Sequence, residues 1–116
     1  MFRFEDLEIW RLAIVYADGI YSLAEKLPSG EKYNLTDQLR RASLSISNNI
    51  AEGSGTSTSK NFKSFLNISI SSILETVNLL HFAARRNYIS EKERIDFYQK
   101  AETLVRKIRS FKNSLK

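Results

Sequence analysis

The chain has no cysteine, which removes disulfides, thiolate zinc sites and cysteine nucleophiles together and suits a reducing compartment. Histidine occurs once, as His81. A di-iron carboxylate bundle needs Glu-x-x-His on two helices, but Asn78 stands three residues before His81 and there is no second histidine. The HExxH motif is missing, and so is the G-x-S-x-G elbow of serine hydrolases. The stretch "EGSGTSTSK" holds glycines and a lysine without the spacing of a phosphate-binding loop. His81 therefore reads as a packed or surface residue, and the chain as non-enzymatic, with no metal and no cofactor. The longest apolar run, Leu12 to Ala17, is far shorter than the roughly 18 residues of a membrane span. Glu5, Asp6 and Glu8 make the N-terminal stretch unlike a secretory signal. The N-x-S/T triplets at Asn34 and Asn67 then read as chance. A cytoplasmic protein with no membrane partner is expected.

Chain breakers are also scarce. Pro28 is the only proline, and the glycines are Gly19, Gly30, Gly53 and Gly55. Breaks are expected near 28–34 and 53–57, and a third at "RNYIS", 86–90, where Ser90 and Glu93 have capping-box spacing. No segment alternates apolar and polar residues, so strands are not expected. What remains is helical. The first segment carries Leu7, Trp10, Ile14, Ala17, Tyr21 and Ala24 in steps of three and four. The second carries Leu35, Leu39, Ala42, Ile46 and Ile50. The third carries Phe62, Leu66, Ile73, Val77 and Leu80, widened by Phe65, Ile68 and Ile70. The fourth carries Phe97, Ala101, Leu104, Ile108, Phe111 and Leu115. A chain of 116 residues supports one domain that buries roughly two-thirds of its unfolded surface. The economical fold is all-α, an antiparallel up-and-down four-helix bundle. The third helix is apolar on more than one side, which suits a central helix that also faces another subunit.

"RRASLSISNNIAEGSG", residues 40–55, is the most unusual stretch. On a helical wheel its apolar residues gather on one side, while Arg41, Ser45, Asn48 and Glu52 form a single polar stripe opposite. Three readings are open: a solvated face, a buried or interfacial network in which Arg41 pairs with Glu75 of the third segment, or a ligand site of Arg41, Asn48 and Glu52. Glu75 lies in the otherwise apolar or small-residue run "SISSILETVNLL", where a carboxylate needs a partner or an opening. Ala42, Ser43, Ser45, Ser47 and Ala51 would let other helices approach closely, and Gly53 suits a helix C′ position.

The net charge is +5 and the pI about 9.6, which raises the odds of an anionic partner. The excess is uneven. From Thr103 to Lys116 the sequence holds Arg106, Lys107, Arg109, Lys112 and Lys116 and no acid. Lys60 and Lys63 open the third helix, and Arg85 and Arg86 close it. Basic residues at helix C-termini also suit the helix dipole, so a structural reading stands beside phosphate contact by Lys60, Lys63, Arg85, Arg86, Arg106, Lys107, Arg109 and Lys112. No helix-turn-helix or aromatic RNA motif points to base-specific readout.

The segments "FEDLEIW" (4–10), "LP" (27–28), "EKYNLTDQLRRASLSISNNIAEGSG" (31–55), "NFKSFLNIS" (61–69) and "SSILE" (71–75) resemble the bacterial four-helix-bundle family encoded by intervening sequences in large-subunit ribosomal RNA genes. Gln38 to Gly53 is the most specific part. Asn34 stands where that family usually has glycine, Ser47 where proline is common, and Ser71 where glycine often falls. The resemblance implies an antiparallel four-helix bundle assembled as a homopentamer. It extends to the basic accessory protein of diversity-generating retroelements, which is linked to nucleic acid. No enzymatic activity is implied. Two functions follow as expectations: an RNA- or DNA-binding accessory protein, or a scaffold for a protein partner. The stripe at residues 40–52 is expected to be architectural, with Arg41, Asn48, Glu52 and Glu75 fixing helix or subunit register.

Overall fold

Side-chain caps decide where the two longest helices begin. In the computed structural model, which describes all 116 residues, the Thr58 hydroxyl accepts the Asn61 amide at 3.1 Å at the start of helix α3 (Ser59–Arg85). Ser90 and Glu93 form the expected capping box at the start of α4 (Glu91–Ser114). Before them come α1 (Glu8–Ala24) and α2 (Leu35–Ser54), with short 3₁₀ turns at Arg3–Asp6 and Ser29–Glu31. Each helix packs against its neighbours in the chain, and α1 closes on α4, so the four form an all-α bundle without strands.

The breaks fall where expected, with one shift. Helix α2 runs through Gly53 to Ser54, so Gly53 is not a C′ residue and has no positive φ. A Cβ at Gly53 would lie 2.7 Å from the Phe65 Cβ and 2.8 Å from the Phe62 Cδ1, so this glycine permits the close approach of α3. A Cβ at Gly19 would lie 3.0 Å from the Phe97 ring, again a close helix contact. The only positive φ is at Asn87 (61°). There Tyr88 N–H bonds the Ala83 carbonyl and Asn87 N–H the Ala84 carbonyl, a Schellman ending for α3. Asn34, with φ −129°, does not use the left-handed region.

The stripe expected on α2 is buried as a whole: Leu35, Leu39, Ala42, Ile46 and Ile50. On α4, Phe97, Ala101, Leu104 and Ile108 are buried, with Phe111 and Leu115 packed at the margin. On α1 the expected stripe is rotated. The core takes Ile9, Ala13, Tyr16, Ile20 and Leu23 with Ala17 and Ala24 of the expected series, while Ile14 is exposed and Leu7, Trp10 and Tyr21 are half-buried. The cause is that apolar residues cover a wide arc of α1, opposite a polar face of Glu8, Arg11, Asp18 and Ser22, so more than one series of three- and four-residue steps runs along it. On α3, Phe62, Leu66, Ile70, Ile73 and Leu80 face inward, whereas Ile68 points outward.

Helices α2 and α3 are held in register by hydroxyls rather than charges. Ser69 Oγ donates to the Ile46 carbonyl of α2 at 2.9 Å, and Ser72 Oγ donates to Ser45 Oγ at 2.8 Å. The expected pairing of Arg41 with Glu75 does not form. Arg41 bonds Asp37 one turn back at 3.1 Å, and Glu75 is exposed. An acid on the same helix face is nearer than one across a groove, and an exposed pair avoids desolvation. Asn48 and Glu52 are exposed too, so within one chain the solvated-face reading holds for Arg41, Asn48 and Glu52, and only Ser45 joins an interhelical contact. The neighbouring Arg40 is the arginine that reaches between helices, its guanidinium 5.3 Å from the Tyr21 ring centre.

Tyr16 and Thr76 form a buried hydroxyl pair at 2.7 Å. Thr76 Oγ1 gives its proton to the Ile73 carbonyl at 2.7 Å, which makes the Tyr16 phenol the donor. Burial pushes the Tyr16 pKa from 10.0 up to about 12.

Two outcomes are expected. Gly53→Ala should lose about 1–3 kcal/mol in urea unfolding, because overpacking against Phe62 and Phe65 outweighs the roughly 1 kcal/mol gained in helix propensity; a more stable variant would refute the close-approach account. Thr76→Val, which strands a buried phenol donor, should cost about 1–3 kcal/mol, against about 1 kcal/mol for Tyr16→Phe. The neutral phenol is the form the folded state favours. Its contribution is therefore full below pH 10.0 and lost as pH rises toward about 12. Tyr16→Phe should flatten that decline in a pH series of melting curves, and an unchanged decline would assign it to other groups.

Candidate nucleic-acid interface

The antiparallel topology sets the end of α4 beside the start of α3. Lys112 Nζ donates to Asn67 Oδ1 of α3 at 2.9 Å. Lys60, Lys63, Arg106, Lys107, Arg109 and Lys112 therefore share one pole of the bundle, with Lys116. Arg85 and Arg86 do not join them. They end the 27-residue α3, about 33 Å from Lys63 at about 1.5 Å rise per residue, in a molecule 44 Å long. The eight candidate cations thus form two sets at opposite poles.

The poles differ in how their charges are matched. At the far pole Lys26 bonds Glu93 and Arg94 bonds Glu91, while Arg85 and Arg86 make no ion pair, Arg86 lying over the Tyr88 ring near Glu31. The Lys26 hydrogen bond, then the Ser90 backbone N–H, hold the Glu93 carboxyl below its usual range, and the Arg94 hydrogen bond does the same for Glu91. At the near pole the acids of the first residues are already engaged. Glu5 Oε1 accepts the Phe2 N–H at 3.0 Å, Asp6 faces Arg11 at 3.9 Å, and Glu8 accepts from Lys107 at 3.0 Å. Lys107 is therefore locally neutralised. Lys60, Lys63, Arg106 and Arg109 make no ion pair, and Lys112 has only a neutral amide partner. Glu52 is the exposed, unpaired carboxylate that ends α2 on this side.

Sequence reasoning missed an aromatic group at the same pole. Phe2 and Phe4 stack with ring centres 6.1 Å apart and planes 8° apart, and Phe4 meets Trp10 at 5.0 Å. Between them Arg3 lies 5.1 Å from the centre of Phe62, whose ring meets Phe111 edge-on at 5.5 Å. The signal was present as aromatics at positions 2, 4 and 10 around Arg3. A 3₁₀ turn has no long periodicity to draw attention to it. His81 is a surface residue, its ring edge-on to Tyr98 at 6.2 Å.

Fold and surface together define a helical bundle with one cationic, aromatic pole. The family model of the 23S rRNA-intervening sequence protein matches residues 5–110, and the chain belongs to that family. The fold is similar to the crystal structure of a protein of unknown function from the S23 ribosomal protein family of Bacteroides thetaiotaomicron. The TM-score is 0.83 at 21% identity, covering 91% of this chain and 99% of the other. No curated protein matches the sequence.

Proposed function

We propose that the protein is a non-enzymatic, oligomeric accessory protein of the cytoplasm that binds structured RNA through its cationic pole. The observation that carries this reading is the concentration of unpaired cations at one end of the bundle, Lys60, Lys63, Arg106 and Arg109 with Lys112, whereas at the other end Arg85 and Arg86, also without ion pairs, stand among the carboxylates of Glu31, Glu91 and Glu93. Phosphates are the ligand chemistry that such a surface suits, and each contact releases counterions. Repetition of the pole around an oligomer would multiply a modest patch into a strong one. A structured ribosomal RNA fragment should bind with an affinity that falls steeply with salt. Replacing Arg109 and Lys112 by Gln should lower the slope by about one contact each. Binding insensitive to both salt and these substitutions would sink the reading.

A second reading, a scaffold for protein partners, rests on the outward face of α3. Ile68, Leu74 and Phe82 there are 48%, 56% and 54% exposed. Such a face suits burial against another protein surface, and the homopentamer implied by the resemblance would supply one. In that assembly Arg41, Asn48, Glu52 and Glu75, exposed on the neighbouring outer surface of α2 and α3, would help fix subunit register. Sedimentation should give a multiple of the 13.4 kDa chain mass. Leu74→Glu with Phe82→Glu should reduce it to a single chain without loss of helical circular dichroism. A wild-type protein that sediments as a single chain removes the oligomer from both readings.

A further inference from the structure

We infer that Phe2, stacked on Phe4, is a base-stacking platform, and that the cationic pole takes unpaired nucleotides of a single strand rather than a duplex. The inference rests on the nucleic-acid reading above and narrows its ligand.

Phe2 has no role in the core. It is 73% exposed and lies outside the buried cluster. Its ring is nonetheless held in place. The Phe2 N–H bonds Glu5 Oε1 at 3.0 Å, and Arg11 Nη2 bonds the Glu5 carbonyl at 3.0 Å, tying the turn to α1. Phe4 supports the ring from behind and is itself backed by Trp10. An exposed aromatic face fixed by backbone bonds loses little freedom when a second ring stacks on it.

The platform adjoins the cations. Arg3 reaches from the same turn over Phe62, which belongs to the first turn of α3 between Lys60 and Lys63. Phe62 touches Phe111, the residue before Lys112. Of the nearby carboxylates, Asp6 faces Arg11 and Glu8 bonds Lys107, while Glu5 is turned back onto the Phe2 N–H. A π-face beside a track of cations is the combination that binds single strands. Every base has a face to stack, and the backbone runs along the positive charge. A duplex keeps its bases stacked on one another and would use only the cations.

Short oligo(U), oligo(dT) and a fully paired duplex of equal length would be titrated into the full-length protein at low salt. Anisotropy of labelled strands and the emission of Trp10, the only tryptophan, would be followed. Both single strands should bind more tightly than the duplex and perturb Trp10. Phe2→Ala should weaken them about five- to hundredfold, with an unchanged salt slope and no effect on the duplex, while Phe2→Trp should retain binding. If the duplex binds as well as the single strands and Phe2→Ala changes neither, while Arg109→Gln with Lys112→Gln weakens both, the platform is refuted and the cationic interface stands. If Phe2→Ala instead lowers the sedimenting mass, Phe2 belongs to a subunit contact and the inference fails. No binding of any strand overturns both readings.

Discussion

The close approach of α2 and α3 at Gly53 is the contact on which the rest of the structure depends. The connection from Gly55 to Thr58 is short, so the end of one helix must lie against the start of the next. The absent side chain at Gly53 admits the Phe62 and Phe65 side chains where any Cβ would collide. Phe62, once seated there, receives Phe111 of α4 on its edge and the Arg3 guanidinium over its face. The C-terminal end of α4 and the N-terminal 3₁₀ turn are thus positioned against the same ring. The cationic pole and the aromatic group beside it are consequences of a packing decision made inside the bundle.

The bundle itself was legible because its signals are local. Pro28, the Ser90–Glu93 box and the clean stripe of α2 each specify a boundary or a face within a few residues. The face of α1 was only partly legible, because its apolar arc is wider than the stripe that the core takes and the exact rotation is fixed only when α2 and α4 close on its flanks. The polar contacts were misjudged for a related reason. A charge in an apolar run draws attention as a candidate network, yet a buried ion pair must overcome desolvation of both partners. Hydroxyls meet the same geometric need with less to desolvate, and Ser45, Ser69, Ser72 and Thr76 fill that role here. Arg41 and Glu75 stay at the surface as a result.

Clustering of the basic residues depends on topology, which sequence spacing does not encode. Lys60 and Lys112 are far apart in the chain and share a pole, whereas Lys63 and Arg85 share a helix and lie at opposite poles. Charge matching is equally hidden. Lys107 looks like its neighbours in sequence and is neutralised by Glu8 from the other end of the chain. Phe2 escaped notice because its significance comes from what lies beside it, not from any repeat.

Helix dipoles separate the two readings of the basic pole residue by residue. At the C-terminal end of α4, Lys112 lies where the dipole is negative, so its presence is accounted for by helix stability alone. Arg85, in the last turn of α3, has the same account. Lys60 and Lys63 have the opposite setting. They stand at the N-terminal end of α3, where the dipole is positive, and no acid occupies that first turn to offset them. Lys60, in that first turn, works against the helix that carries it by a few tenths of a kcal/mol, and Lys63 in the next turn gains nothing from the dipole. They also lie beside Lys112 and the aromatic turn rather than beside a carboxylate. Residues that add nothing to local stability and gather at one surface are better explained by an anion that meets them from outside than by the fold, and they are the cations on which the nucleic-acid reading most depends.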